Sequence, residues 1–482
     1  MRGISYIVTD TTKDFSLSIH DSDYSQNTIV MEQVVGTLLK FNHQDQAIPF
    51  LAESWKVVDG LKWIFKLRPN LKCENGEEIT AESYVNNFKN IFRMLAKSNE
   101  LPTFDCLRGW DAFITGKSSD LGLFVEDKVT IVFSFSKKVE GVEEYLSMPY
   151  FGYYASANFN IDGNWANKGN VIASGAYRVA SFSQDEIKLL AREDMFQFKI
   201  TAPLKVLIQK KELNQALKDN KDHTIIAKRG ECDLRLLSKS NFTTAKGRPV
   251  IAYSLILNPK GSRFFSTIEN RQIFIKHFLN EKSLLPLLNS DSELSNDLFL
   301  DHPSATSFFE GESNQDQFSI SNEGPLIIYS PYPTENKECS YIKELICRVC
   351  HKLNIQYEFT NAPSDSSKDV IKKLTKECDL RISGVHAGTK IDYFIVKMIF
   401  CSDLGVSYPD PYNKLGSLTK LYEEGKIDLA DFQQQFNRIY REDSAVLPVL
   451  HSGPIWFVSK EINLNNDNGR IYTPRFDLIE VK

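Results

Sequence analysis

The stretch that most constrains this chain lies between Trp63 and Leu95, where the spacing of apolar residues switches from strand-like to helical. Trp63 to Arg68 alternates apolar and polar side chains and stops at Pro69, whose nitrogen carries no hydrogen to extend a ladder. Glu74, Asn75 and Gly76 supply a turn. Thr80 then offers an N-cap with Glu82 in the first turn, and Tyr84, Phe88, Ile91, Phe92 and Leu95 recur at helical spacing. A half-buried strand followed by a helix with one apolar face is the basic unit of a mixed α/β layer.

The same alternation of periods continues downstream. Lys128 to Phe135 reads as a strand, and Ala176 to Ala191 as two strands joined near Ser183 to Asp185. The apolar run Ile251 to Leu257 leads to a helical stretch, Arg271 to Leu279, and then to a Ser-, Asp- and Asn-rich region, Asn289 to Gly324, expected as a surface excursion. Leu326 to Tyr329, a helix marked by Ile342, Leu345, Ile346, Val349 and Leu353, and a strand at Ile355 to Phe359 form a parallel α/β unit. Two helical segments flank Gly425 between Leu418 and Tyr440, and an apolar stretch, Ala445 to Val458, follows.

At 482 residues the chain exceeds what one hydrophobic core serves, so two or more lobes are expected. Hydrophobic residues at 42% and charged residues at 25% exclude a largely disordered chain. A net charge of -5 without a long basic run argues against nucleic acid as a partner. The longest apolar runs fall short of a spanning helix; Tyr393 to Phe400 is broken by Lys397. Met1 to Asp14 carries no apolar core of a signal peptide, so an exported protein is expected here in mature or trimmed form. The eight cysteines are too sparse for a disulfide scaffold.

Several landmarks in this order carry a resemblance. Leu51-Ala-Glu-Ser-Trp55, the strand Leu61 to Arg68, Asn75-Gly76 and Thr80-Ala-Glu82 resemble the signature region of the bacterial extracellular solute-binding proteins of family 5, the peptide and nickel class that serves ABC importers, with Ser83 where that pattern has Asp. Gly109-Trp-Asp-Ala-Phe113, Ser174-Gly-Ala-Tyr-Arg178, Gly230-Glu-Cys-Asp233 and Leu447-Pro-Val-Leu450 resemble later landmarks. The resemblance implies a two-lobed α/β fold of the type II, peptide-binding class of periplasmic-binding-protein-like folds, with an extra subdomain in the first lobe. Lobe one is expected over 1–250, with the subdomain at about 40–172, and is completed by 450–482; lobe two spans 251–449. Crossover strands are expected near Val250 to Leu257 and Leu447 to Phe457, with the ligand enclosed between the lobes.

By the same resemblance one wall of the ligand site is the loop Ser22, Asp23, Tyr24 and Ser25, and the other is the strand Asp379 to His386, with Ser383, Gly384, Val385 and His386 as contacts. Trp110 is a further candidate, and Gly388 and Asp392 follow the second wall. Asp23 and Tyr24 equally fit an ordinary polar turn, and Trp110 equally fits a core position. Peptide-binding relatives anchor the ligand's α-ammonium with an Asp that here aligns on Gly388 or, in a second register, on Ser407. An ammonium buried without a carboxylate is costly, so a ligand not held by its α-amino group is expected, with Asp392 or Asp403 as substitute anchors.

Other chemistries are disfavoured. Cys347-Arg-Val-Cys350-His351 matches the haem-attachment pattern, but it lies within a helix that turns Cys350 to the apolar side, so neither haem nor another cofactor is expected. No metal site is expected, because His386 has no clustered partners in the sequence. The chain lacks a Gly-x-Ser-x-Gly elbow, and Ser383-Gly384 near His386 is no triad, so it is not expected to be an enzyme. The expected function is capture of a small organic, peptide-like or other polar oligomeric ligand and its presentation to ABC permease transmembrane subunits. A monomer is expected, in the periplasm or another extracytoplasmic location, with or without a lipid anchor. The alternative is a cytosolic ligand-sensing domain of the same fold from a transcriptional regulator, disfavoured by the lack of a DNA-binding module ahead of the fold.

Overall fold

The computed structural model describes residues 3–9, 14–19, 25–41, 46–96, 104–139, 141–160, 164–166, 171–192, 194, 202–219, 223–227, 241–246, 251–259, 262–286, 292–295, 324–331, 337–361, 368–386, 414–453, 455–464 and 476–481. The chain divides into two compact units, one made of 1–247 with 454–482 and the other of 248–453.

A seven-stranded sheet organises the first unit. From edge to edge its strands are Phe242–Lys246, Ile455–Ser459, Thr224–Ala227, Gly3–Val8, Lys205–Lys210, Glu186–Ala191 and Tyr177–Phe182. Gly3–Val8 runs parallel to both its neighbours, so three carboxyl ends meet at one edge of the sheet. The other strands are antiparallel, including the hairpin Tyr177–Phe182 and Glu186–Ala191. Helix Leu213–Asp219 covers part of this sheet, with Leu213, Ala216 and Leu217 packed on Ile7, Ile226, Phe242 and Phe457.

The same unit holds a four-stranded antiparallel sheet in the order Ala52–Val58, Lys62–Leu67, Thr130–Ser134, Leu123–Asp127, with helix Ala81–Ala96 packed against it. The helix begins as its sequence dictates. Ser83 N–H donates to Thr80 Oγ1 at 3.1 Å, and Thr80 N–H donates to Ser83 Oγ at 2.9 Å, so the serine standing where the family pattern has Asp closes a reciprocal capping box. Gly76 sits at φ 86°, the left-handed conformation its turn requires. Arg192, which follows strand Glu186–Ala191, ties down neighbouring loops: its buried guanidinium donates to the carbonyls of Ala173, Gly175 and Lys72.

The second unit has a six-stranded sheet ordered Ser292–Leu294, Val446–Ser452, Ile251–Leu257, Leu380–His386, Leu326–Tyr329, Tyr357–Thr360. The last three strands run parallel, and helix Lys337–Lys352 connects two of them. The core is mostly aliphatic, built from Leu255, Leu257, Ile328, Leu345, Ile346, Val349, Leu380 and Leu447 among others, with a minority of rings such as Phe274, Phe278 and Phe432. Helices Lys414–Glu423 and Leu429–Asp443 are separated at Gly425, φ 69°, where Gly425 N–H donates to Tyr422 O and Lys426 N–H to Leu421 O. That pair of bonds is a Schellman stop.

Three sequence expectations are corrected. Leu447 to Phe457 holds the passage between the units but is not one strand: Val446–Ser452 belongs to the second unit's sheet and Ile455–Ser459 to the first unit's. The region Asn289 to Gly324 is not wholly an excursion, since Ser292–Leu294 forms the edge strand beside Val446–Ser452. Three residues among polar neighbours give no periodic signal. The strand expected at Ile355 to Phe359 begins at Tyr357, after a turn at Asn354 with φ 52° that sends Ile355 into the core.

Candidate functional site

In the first unit the carboxyl ends of the parallel strands gather Thr9, Lys210 and Ala227, and Thr9 Oγ1 donates to Ala227 O at 2.7 Å. Ligands of open α/β sheets bind outside such carboxyl ends. The chain leaves the first of these strands and returns as Asp14 to Ile19, where Phe15, Leu17 and Ile19 are buried and Ser16 and Ser18 are half-buried. Phe15 N–H donates to Gln184 O in the hairpin turn, and Ser16 N–H donates to Asn27 Oδ1 at 2.8 Å. Lys210 Nζ lies 3.2 Å from Asp14 Oδ1 and 3.4 Å from Asp185 Oδ1, and 5.2 Å from the centre of the Phe15 ring.

The candidate residues Ser22, Asp23 and Tyr24 follow this segment but lie outside the described residues. Helix Ser25–Val34 comes next, and its far end is held by the landmark Ser174-Gly175: both backbone N–H groups donate to Val34 O, at 3.0 and 2.9 Å. A Cβ on Gly175 would stand 2.7 Å from Gln33 O, so only glycine allows the approach. Ser174 Oγ accepts from Gly36 N–H and donates to the carbonyl of Tyr153. The Ser174 to Arg178 landmark is therefore a clasp on this helix.

In the second unit the strand Leu380–His386 pairs along its length with Ile251–Leu257, Ser383 opposite Ser254 and Gly384 opposite Tyr253. Its entry is fixed by Asp379, whose carboxylate accepts from Ile327 N–H at 2.8 Å. On its other side the strand Leu326–Tyr329 pairs with it only at Leu380 and Arg381, and Leu380–His386 runs on past the end of that neighbour. Ser383 is buried, and Val385 and His386 continue the strand opposite Ala252 and Ile251. Gly388 and Asp392 lie outside the described residues, as do Lys390, Asp403 and Ser407.

Trp110 stands elsewhere. It opens the short helix Trp110–Ile114 and packs edge-on to Phe92 at 5.5 Å, half-buried in the aromatic layer beneath helix Ala81–Ala96. Its observed contact is one of packing.

Sequence reasoning missed Lys210, Asp14 and Thr9, which only the register of the parallel strands brings together. It also missed the buried hydroxyls of Ser254 and Ser330, neither of which has a hydrogen-bond partner among the described residues. Ser254 faces Ser383 across the ladder, and Ser330 follows the last residue of Leu326–Tyr329. No periodic or motif signal marks a single buried serine.

The haem-like motif takes a structural part. Cys350 is fully buried beside Ile346 and Val349, and burial pushes its thiol up to about 12, so it is a packed neutral group unable to reach a porphyrin. Cys347 and Cys350 are free thiols. Neighbours three apart on a helix hold their Cβ atoms roughly 5–6 Å apart, beyond the roughly 3.5–4.5 Å of a disulfide. Among the described residues no group of His, Cys, Asp or Glu is arranged to hold a metal, and no helix is long and apolar enough to cross a membrane.

Two α/β units, linked by chain passages at 247–248 and 453–454 and each built on a mixed sheet, have the fold of the two-lobed type II periplasmic binding proteins, peptide and nickel class. Residues 46–273, a little under half of the chain, match the family described as bacterial extracellular solute-binding proteins, family 5 Middle.

Among curated relatives, the periplasmic murein peptide-binding protein MppA of Escherichia coli K12 is 25% identical over 152 residues, covering 31% of this chain and 28% of its own length. A putative binding protein of Haemophilus influenzae is 27% identical over 126 residues, covering 26% of this chain and 24% of its own. Such alignments thus span about a quarter of these relatives. The fold likeness runs further: the NikA structure from Brucella suis, solved with Fe(III)-EDTA, covers 99% of this chain and 100% of its own, with a TM-score of 0.78 at 15% identity.

Proposed function

We propose that this chain is the ligand-capturing receptor of an ABC importer, taking a small peptide-like or other polar organic ligand between its two units and presenting it to the permease subunits. The observation that carries this reading is the fold likeness over the whole chain to binding proteins, joined to the family match over residues 46–273. Relatives named as periplasmic binding proteins support an extracytoplasmic location and a role in binding rather than catalysis. A ligand that touches both units favours the conformation in which it makes both sets of contacts, and it shifts the population only by that difference in affinity.

The walls proposed are the loop carrying Ser22, Asp23 and Tyr24 and the strand carrying Ser383, Gly384, Val385 and His386, continuing to Gly388 and Asp392. Strand Leu380–His386 outlasts its parallel neighbour, which suits pairing with an extended ligand. The ligand is not held by a free α-ammonium. Native mass spectrometry of the purified protein is expected to show one bound organic species. Calorimetry with a tri- to pentapeptide pool, free and N-acetylated, is expected to show equal binding. Tight binding abolished by acetylation and by Asp392→Asn would overturn the ammonium-independent part, and no bound species in either experiment would overturn the receptor.

A further inference from the structure

We infer that Lys210 is a positioning residue for ligand capture, its ammonium fixing the segment Asp14 to Ile19 against the sheet through Asp14, Asp185 and the ring of Phe15. The inference rests on the reading that the loop after this segment is a ligand wall.

Lys210 ends the strand paired in register with Gly3–Val8, Val8 opposite Lys210, so it stands beside the strand from which the chain departs toward Asp14. Its side chain is only 4% exposed, while those of Asp14 and Asp185 are 63% and 82% exposed. The lysine is thus the enclosed member of a three-charge group, and enclosing an ammonium is costly unless carboxylates compensate it. An apolar side chain would pack there at lower cost. What the charge adds is direction, because it draws Asp14 to one place.

The backbone supplies a second set of ties. Lys210 N–H donates to Asp185 O at 3.0 Å, and Phe15 N–H donates to Gln184 O at 3.1 Å, so the hairpin turn holds both the lysine and the returning segment. Phe15 is buried beneath the ammonium, within reach of a cation–π contact. Those contacts set where the segment begins, and Leu17 and Ile19 are buried further along it.

The test uses the full chain with Lys210→Met, Lys210→Arg and Asp14→Asn. Three quantities are read: amide hydrogen exchange over residues 15–19, the melting temperature, and calorimetric affinity for the tri- to pentapeptide pool at about 0.05 M and about 0.5 M salt. Lys210→Met is expected to keep the melting temperature, lose exchange protection at 15–19 and bind roughly fivefold more weakly, with Lys210→Arg restoring both. High salt is expected to narrow the gap between the native chain and the Met variant. If Lys210→Met does not fold, Asp14→Asn removes the exposed partner of the same contact and is expected to show the same local loss. Unchanged protection at 15–19, or a loss spread evenly over the first unit, overturns the role of Lys210. Local loss of protection in a protein whose native form binds no peptide and carries no bound organic species by native mass spectrometry retains the anchoring and overturns the receptor reading instead.

Discussion

The core beneath helix Ala81–Ala96 is dominated by aromatic rings, whereas the core of the second unit is mostly aliphatic, with rings in the minority. In the first, Phe104 alone meets Phe151 at 4.9 Å, Phe92 at 5.0 Å, Tyr145 at 5.8 Å and Phe133 at 6.0 Å between ring centres. In the second, Leu, Ile and Val from the sheet interleave with those of helix Lys337–Lys352. A four-stranded sheet under one helix has few positions to fill, so each must bury a large area, and rings do so with directional edge and face contacts. The broader six-stranded sheet has more positions, and branched aliphatic side chains suit its pleated surface. A small layer thereby concentrates its stability in single residues, where a large one spreads it.

Breaking the aromatic layer should have the largest effect. Phe104→Ala is expected to cost roughly 4 kcal/mol and Leu345→Ala roughly 3 kcal/mol. The two are separable optically, because all five tryptophans, Trp55, Trp63, Trp110, Trp165 and Trp456, belong to the first unit. Urea unfolding followed by tryptophan emission should report Phe104→Ala as an earlier transition and Leu345→Ala as little change, with the second variant visible in far-ultraviolet dichroism. A Leu345→Ala protein whose tryptophan transition moves as far as that of Phe104→Ala would show that the cores do not unfold separately.

A smaller effect sharpens the contrast from the other side, since the aliphatic unit contains a buried cation. Lys282, 5% exposed, donates from Nζ to Ser295 O, and burial pushes its pKa down to about 7. An unfolded lysine titrates near 10.4, so between about 7 and about 10 the unfolded chain binds more protons and stability rises with pH. Below about 7 the full cost of burial is present. Lys282→Met is expected to gain about 1 kcal/mol or more at pH 7 and to flatten that rise. Parallel stability curves for the two proteins from about pH 6 to about pH 10 would contradict the assignment.

The smallest effect is at the start of the aromatic layer's helix. Thr80→Ala removes the acceptor for Ser83 N–H and should cost about 1 kcal/mol by urea titration, while Ser83→Asp, which keeps a side-chain acceptor, should cost little. Equal losses in the two variants would remove the capping box from the account.

How much of this was legible beforehand follows from where the information resides. Strand Lys62–Leu67, its capped helix, the hairpin after Tyr177 and the helix stop at Gly425 were all readable, because each is written in local periodicity and turn chemistry. Three-residue Ser292–Leu294 was not, since its pairing is set by Val446–Ser452 far along the chain. Of the candidate site, the strand carrying Ser383 and Gly384 was legible as a strand, but the burial of Ser383 opposite Ser254 was not. Trp110 shows what a residue type alone leaves open: a tryptophan serves packing and ligand stacking with the same ring, and the contact seen here is edge-on to Phe92. The anchoring of Asp14 by Lys210 joins residues far apart in sequence, and no short window contains both.

The placement of Ile455–Ser459 between Phe242–Lys246 and Thr224–Ala227 has a consequence for the chain as it leaves the ribosome. Phe242–Lys246 bonds only to that late strand within the sheet, so it waits while the whole of 248–453 is synthesised. The second unit has all six of its described strands in hand before the first has its last-made one. The nascent first unit therefore carries an open sheet margin at Thr224–Ala227 for as long as that synthesis takes. Unpaired strand margins are where emerging chains join the wrong partner. A translation product ending anywhere before Ile455 keeps that margin permanently, however well its second unit folds.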